Sequence, residues 1–349
     1  MDYKICLVGC GTVGQGLLEI LLKKNQFLDN KFGFQAKVVA ISDKQKGNLL
    51  LPEGIDLGKL LQILGRGQRI DSYLEGKANP AAELDPLQII EKSQADIVAE
   101  LTYTDIKTAE PATSYIKKAL QTGKHVVTSN KGPAALYYQE LKKLAEDNNL
   151  YFKFEGAVMS GTPVFNLIEN GLAGNEIKEI KGILNGTTNF ILTKMEEEDM
   201  DYEAALSLAQ KLGYAEADPT ADVEGYDALA KIVILANVLL EANLKPSDIP
   251  RKGISDISKQ MVKEALTSGS RYKLIASARK EKDRVEASVT PEKLPLSDPL
   301  AAVMGVNNAL SFELDLLGKV TIQGSGAGKI ETGYSILTDM LAIHHQLSK

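Results

Sequence analysis

Three groups of residues in this chain have the types and spacing to do chemistry. The first is Gly9-x-Gly11-x-x-Gly14. It directly follows an apolar strand and opens a helix carrying Thr12 and Val13 in its first turn. The first glycine permits a tight turn, the second lets backbone approach a pyrophosphate, and the third allows close helix–strand packing, with the anion at the helix N-terminus. The next apolar strand ends in Ser42-Asp43. An acidic side chain there suits the ribose 2′-hydroxyl of NAD and repels the 2′-phosphate of NADP. Lys44 and Lys46 follow at once and could favour that phosphate, so the reading leans only towards NAD.

The second group is Asn130-Lys131-Gly132-Pro133, placed after a strand, where open α/β sheets bind their ligands. A lysine there can touch a nicotinamide or an anionic substrate. The third is the acidic stretch 213–231, which holds Glu216, Asp218, Asp227 and Lys231. Asp227 and Lys231 are four apart and share a helix face. Lys231 opens the apolar run 232–240, so its amine borders a buried helix and becomes a usable acid or base. Glu216 and Asp218, on the loop before, could hold an ammonium group. With three His, two Cys and no Trp in the chain, proton work falls to Lys, Asp or Glu. Gly324 to Lys329 is one residue short of a P-loop, and Ile330 stands where a magnesium-binding hydroxyl belongs.

These residues need elements to hold them. Residues 1–155 alternate apolar runs with helical patterns. Strands are predicted at 3–8, 37–42, 96–101, 125–129 and 150–154, and helices at 13–24, 107–121 and 133–148. This is the pattern of a Rossmann-type, doubly wound parallel sheet. Residues 44–95 read as a loop-rich insertion. Beyond 155 the texture becomes α+β. Turns are expected at 156–163 and 182–189, helices at 202–212 and 223–243, and a hairpin of 272–279 with 284–290 through Lys280-Glu281-Lys282-Asp283. The closing stretch, a strand at 317–323 and a helix at 331–347, could return to the first domain. The expected division is a dinucleotide-binding domain of 1–155 with 315–349 and a substrate-binding, dimerisation domain of 156–314.

The 349 residues suit two domains at about 150 each. A net charge of −6 argues against nucleic acid as the partner, since phosphate backbones need a basic stripe. The longest apolar run, 232–240, is too short to span a bilayer, and the N-terminus lacks a signal-peptide pattern, so no membrane association and a cytoplasmic location are expected. Cys6 and Cys10 have no second pair to complete a zinc site or disulfide framework.

Taken together, Gly9–Gly14, Asn130-Lys131, 155–163 (EGAVMSGTP), 182–190 (GILNGTTNF) and 213–231 resemble homoserine dehydrogenase along nearly the whole chain. The resemblance implies interconversion of L-aspartate 4-semialdehyde and L-homoserine with NAD or NADP, in the synthesis of threonine, methionine and isoleucine, by a homodimer. By the same resemblance, Lys231 matches the proton-transfer lysine and Lys131 the lysine between nicotinamide and substrate. Glu216 and Asp227 match substrate-binding residues, with Asn185, Thr187 or backbone amides available to the substrate carboxylate. Gly213, Thr102, Gly326 and Gly328 match positions near the cofactor. Glu155, Val158, Ser160 and Thr162 resemble a site for Na+ or K+ built mostly of backbone oxygens. The continuation Gly132-Pro133 and the alanine at 217 depart slightly from the commonest pattern. No regulatory domain, and so no threonine feedback, is expected. Two other readings are a different amino-acid dehydrogenase on a similar scaffold, which the 213–231 stretch opposes, and a silent NAD-binding sensor, which Lys131, Lys231, Glu216 and Asp227 oppose.

Overall fold

The computed structural model describes residues 2–282 and 284–348. The chain forms two compact units, one running to Asn166 and resuming at Gly328, the other spanning Leu167–Ala327.

The first unit begins with β1 (Asp2–Val8), α1 (Thr12–Phe32) and β2 (Gln35–Asp43). Helix α1 runs eight residues past its predicted end at Lys24. It stops at Gly33, which takes a left-handed φ of 64° and donates its N–H to Asp29 O. Residues 44–95 are more regular than expected. They hold β3 (Gly47–Leu50), α2 (Leu57–Gly65) and α3 (Pro86–Lys92). These elements are short, and their signal lies in caps rather than in periodicity: Asp56 caps α2, and Asp85 forms a capping box with Gln88 on α3. Next come β4 (Ile97–Glu100), α4 (Ala112–Gln121), β5 (His125–Thr128), α5 (Lys131–Leu136), α6 (Tyr138–Asp147), β6 (Phe152–Lys153) and α7 (Gly156–Met159). Helix α4 starts five residues later than predicted, because Asp105 folds 105–108 into a turn by accepting from Lys107 and Thr108 N–H groups. The single helix expected over 133–148 is broken at Tyr137 into α5 and α6.

The six-stranded sheet runs β3-β2-β1-β4-β5-β6, parallel except for β3, which is antiparallel to β2. Alternation on the strands divides the core. Ile5, Leu7, Ile97 and Val127 join one apolar cluster, and Cys6, Val8, Val98 and Val126 join the other. Cys6 and Cys10 are free, buried thiols, both pushed up to about 12 chiefly by burial.

The second unit contains β7 (Ile177–Ile183), α8 (Gly186–Glu197), α9 (Tyr202–Lys211), α10 (Thr220–Val223), α11 (Tyr226–Leu239), α12 (Lys259–Thr267), β8 (Ser270–Glu281), β9 (Arg284–Pro295), β10 (Asn307–Leu314) and β11 (Gly318–Ser325). Its antiparallel sheet runs β11-β10-β7-β8-β9. The stretch expected as turns at 182–189 is instead the end of a strand, Leu184 and the capping Asn185, and the start of a helix. Gly182 lies inside β7 at a place where a Cβ would stand 2.5 Å from Ala309 O on β10. Helix α11 is apolar nearly all round and buries every residue from Ala228 to Asn237. The expected hairpin is present as β8–β9, and Asp283 of its turn lies outside the described residues.

The chain ends in α13 (Lys329–Leu347), which packs along α1 in the first unit. A Cβ at Gly16 would collide with Lys329 O, and one at Gly333 would come within 2.6 Å of Leu17 N. Only this helix belongs to the first unit. The strand before it pairs with β10, so the boundary falls after Ala327 rather than at 314/315. The other boundary falls after Asn166 rather than 155, because the Glu155 carboxylate accepts the backbone N–H groups of Val164, Phe165 and Asn166. Among the described residues no helix is long and apolar enough to cross a membrane.

Candidate active site

In the first unit, Gly9 takes φ 96°, and a Cβ on it would stand 2.5 Å from Leu101 O, so the turn admits only glycine. A Cβ on Gly14 would meet Gly9 O at 2.7 Å. Nothing lies within 4 Å of where a Cβ on Gly11 would stand. Gly11 caps α1 without a side-chain hydrogen bond, and no acidic residue occupies the first turn with Thr12 and Val13. The result is an open cradle of backbone N–H groups at a helix N-terminus, which fits a pyrophosphate.

Asp43 does more than the sequence suggested. Its Oδ2 accepts from Cys10 N at 2.8 Å, and its Oδ1 accepts from Gln45 N and Lys46 N at 3.0 and 2.9 Å. Lys46 Nζ reaches back to Cys10 O at 2.6 Å. The pair pins the glycine loop to the β2–β3 turn. Burial pushes the Asp43 carboxyl up, but these amides and Lys46 outweigh it and leave it below the usual aspartate value.

At the carboxyl ends of β4 and β5, Asn130 N-caps α5, accepting from Gly132 N at 3.2 Å while its amide donates to Tyr103 O at 3.1 Å. Lys131 is the first residue of that helix and is half-buried. Beneath them lies a residue that sequence reasoning missed. Glu100, fully buried, accepts from Thr102 N at 2.9 Å, from the Thr102 hydroxyl, and from Thr128 Oγ1 at 3.0 Å. Burial raises its pKa, and these hydrogen bonds pull it back in part. The only signal in the sequence was a carboxylate at the end of an apolar strand.

The loop proposed for a cation is also tied down. Besides the amides at 164–166, Glu155 takes a bond from Asn166 Nδ2, and its own N–H donates to Asp339 at 2.8 Å. Val158 is buried in α7, Ser160 takes φ 52° with its hydroxyl 2.7 Å from that of Thr332, and Thr162 N donates to Met159 O. Any cation there would be held by backbone oxygens, because the Glu155 carboxylate already serves four N–H groups. Gly328 caps α13 at φ 146°.

In the second unit, the β7–α8 and α10–α11 junctions converge. Lys231 Nζ donates to Leu184 O at 2.6 Å and to Asp227 Oδ2 at 2.7 Å. Asn185 Nδ2 donates to the same Asp227 oxygen at 3.0 Å and to Asp222 Oδ1 at 2.7 Å, while its Oδ1 caps α8 at Thr188 N. Asp222 was not singled out in the sequence. Burial raises its pKa, and the neighbouring Asp227 adds to the rise. Thr187 Oγ1 donates to Tyr214 O at 2.7 Å, linking the helix start to the exposed 213–218 loop. On that loop Gly213 takes φ 78°. Asp218 Oδ1 accepts from Thr220 N at 3.1 Å, and Glu216 is exposed, with Gln210 holding its backbone. Gly326 lies against the Asn308 amide, which fills the place of a Cβ. An ammonium with one N–H to spare, beside two carboxylates and the N-terminus of α8, can place a proton on a carbonyl oxygen and hold an amino-acid substrate.

Two family models cover the chain. One described as "Homoserine dehydrogenase, NAD binding domain" matches residues 9–155, and one described as "Homoserine dehydrogenase" matches residues 163–341. An NAD(+)-dependent homoserine dehydrogenase of Pseudomonas canavaninivorans is 43% identical over all of this chain and 98% of its own length. The homoserine dehydrogenase of Methanocaldococcus jannaschii is 40% identical over 99% of each chain. The structure of a hyperthermophilic archaeal homoserine dehydrogenase in complex with NADPH superposes with a TM-score of 0.83 at 32% identity, covering 99% of this chain and 98% of that one. The chain therefore belongs to the homoserine dehydrogenase family of oxidoreductases.

Proposed function

We propose that Lys231 is the proton-transfer residue in the interconversion of L-aspartate 4-semialdehyde and L-homoserine. One observation carries the assignment: its buried ammonium is held by Asp227 and Leu184 O, which leaves one N–H for a substrate oxygen. In the reducing direction this N–H stabilises the developing alkoxide and then donates its proton to it. When bound, the nicotinamide supplies or takes up the hydride. The first unit holds it: Gly9, Gly11, Thr12, Val13 and Gly14 cradle the pyrophosphate, with Asp43, Thr102 and Lys131 further along the strand ends.

The second unit binds the substrate and carries the dimer contact. Glu216 and Asp227 take the amino and hydroxyl ends, and the free amides at the start of α8, with Thr187, take the carboxylate. Asn185 acts by holding Asp222 and Asp227 in place. Gly213, Gly326 and Gly328 give backbone close access to the cofactor. Glu155, Val158, Ser160 and Thr162 order their loop, with Na+ or K+ on the carbonyls. The reading includes a cytoplasmic homodimer.

Incubating the protein with homoserine and NAD, then NADP, and following the absorbance of the reduced cofactor tests the assignment. Turnover is expected, with the higher kcat/KM for NAD. Nucleotide binding without turnover on either would sink the catalytic reading, and a strong NADP preference would remove the role given to Asp43.

A further inference from the structure

Glu100 pairs in register with Val8, the residue before Gly9, on one side and with Thr128, two residues before Asn130, on the other. It therefore stands at the middle of the sheet's carboxyl edge, where open α/β sheets bind their ligands. Its side chain is fully buried, and every hydrogen bond it receives comes from a neutral group: Thr102 N and the Thr102 and Thr128 hydroxyls, the last of which also takes a bond from Asn130 N at 2.9 Å. Among the described residues no ion pair neutralises it. Burial raises its pKa while the donors on its two oxygens draw it back towards the ionised form, and a glutamine would keep the same net without that cost. Thr128 Oγ1 already lies 2.7 Å from the Glu100 backbone oxygen, so it could donate there and accept from a glutamine amide instead. The carboxylate does something that its hydrogen bonds alone do not require.

We propose that Glu100 poises the cofactor site electrostatically: it positions Thr102 and the Asn130–Lys131 turn, and its negative charge favours the cationic, oxidised nicotinamide over the neutral, reduced one. This rests on the reading that the dinucleotide lies along Gly9–Gly14 and the strand ends. Glu100 acts as a positioning and field-setting residue, and the reacting atoms are reached by Thr102 and Lys131. Its charge would pull the redox balance on the protein towards the oxidised cofactor. A residue that only braced the fold would affect both forms of the cofactor equally.

The test is direct titration of the full chain with NAD+ and, separately, with NADH, without substrate. Glu100→Gln is expected to weaken NAD+ binding roughly three- to tenfold more than it weakens NADH binding, the scale of one charge acting across several ångströms of protein. Equal loss for both forms, or no change in either, overturns the proposal. Glu100→Asp keeps the charge on a shorter arm, so it should retain the wild-type ratio of NAD+ to NADH affinity even if both weaken. If it loses that ratio, the proposal fails, and this holds should Glu100→Gln not fold. Failure of the wild-type chain to bind either form would instead remove the cofactor reading on which the proposal stands.

Discussion

The second unit buries two lysines, and it treats them differently. Lys231, on α11, has a carboxylate partner at 2.7 Å and a carbonyl at 2.6 Å. Lys273, on β8, is more deeply buried, at 1% against 6% exposure. It meets only neutral acceptors: Asn189 Oδ1 at 2.8 Å, Val303 O and the Met304 sulfur. Its amine is pushed down to about 7, first by burial and then by nearby Arg271, with Glu196 and Glu197 offsetting part of this. Burial alone therefore does not mark a catalytic lysine. An adjacent carboxylate and one N–H left over distinguish the first amine, while the second braces α8 and the 303–304 loop from within.

The comparison breaks most sharply at Lys231. Lys231→Ala should lower kcat by about 10²- to 10⁴-fold while nucleotide affinity, read by titration, stays near wild type. A near-normal kcat would leave Lys231 no more special than Lys273. Next, Asp227→Asn turns the surroundings of Lys231 into something like those of Lys273. Losing one charge-assisted hydrogen bond should cost about tenfold to a hundredfold in kcat/KM for homoserine, and a change of less than twofold would contradict the pairing.

Lys273 provides the pH arm of the comparison. In the unfolded chain its amine titrates near 10.5 and in the fold near 7, so between those values the unfolded state binds the extra proton. Stability contributed at this site should rise as pH climbs through that window, and should be lowest and flat below it. In thermal melts, the gap between wild type and Lys273→Met should shift in favour of the wild type from pH 7 towards pH 10; a constant gap excludes the assignment. The smallest effect concerns Asn308, buried on β10 with neither side-chain atom paired. Asn308→Leu removes that unsatisfied amide with the same branching and number of side-chain heavy atoms, and should raise Tm by about 1–3 °C. A fall would show that the amide is satisfied in the native protein.

Much of this was legible in the sequence, for local reasons. The parallel strands read correctly because each is a short apolar run between helical repeats, and the glycine spacing marks the turn between β1 and α1. Lys131 and Lys231 stood out because each follows or opens an apolar segment. The regular elements in 44–95 were not legible, because four- to nine-residue elements leave little periodicity and depend on caps such as Asp56 and Asp85. Glu100 looked like any strand-end carboxylate. Asp222 was one acid among several, and nothing in the 213–231 stretch says that Asn185, 37 residues earlier, would bridge it to Asp227.

The sequence by itself determined which chemistry was available: a backbone cradle for a pyrophosphate, lysines in place of histidines, and a surplus of carboxylates near one of them. These follow from residue type and from spacing along one helix or one turn. Tertiary structure decided which groups were spent and which were left over. Asp218 went to the Thr220 N–H, Glu155 to four N–H groups and Asp43 to the glycine loop, while Lys231 kept one N–H free. The reason is that a polar group's remaining capacity depends on every neighbour it meets. For Lys231 one such neighbour lies 47 residues away, beyond the reach of any helical or strand repeat.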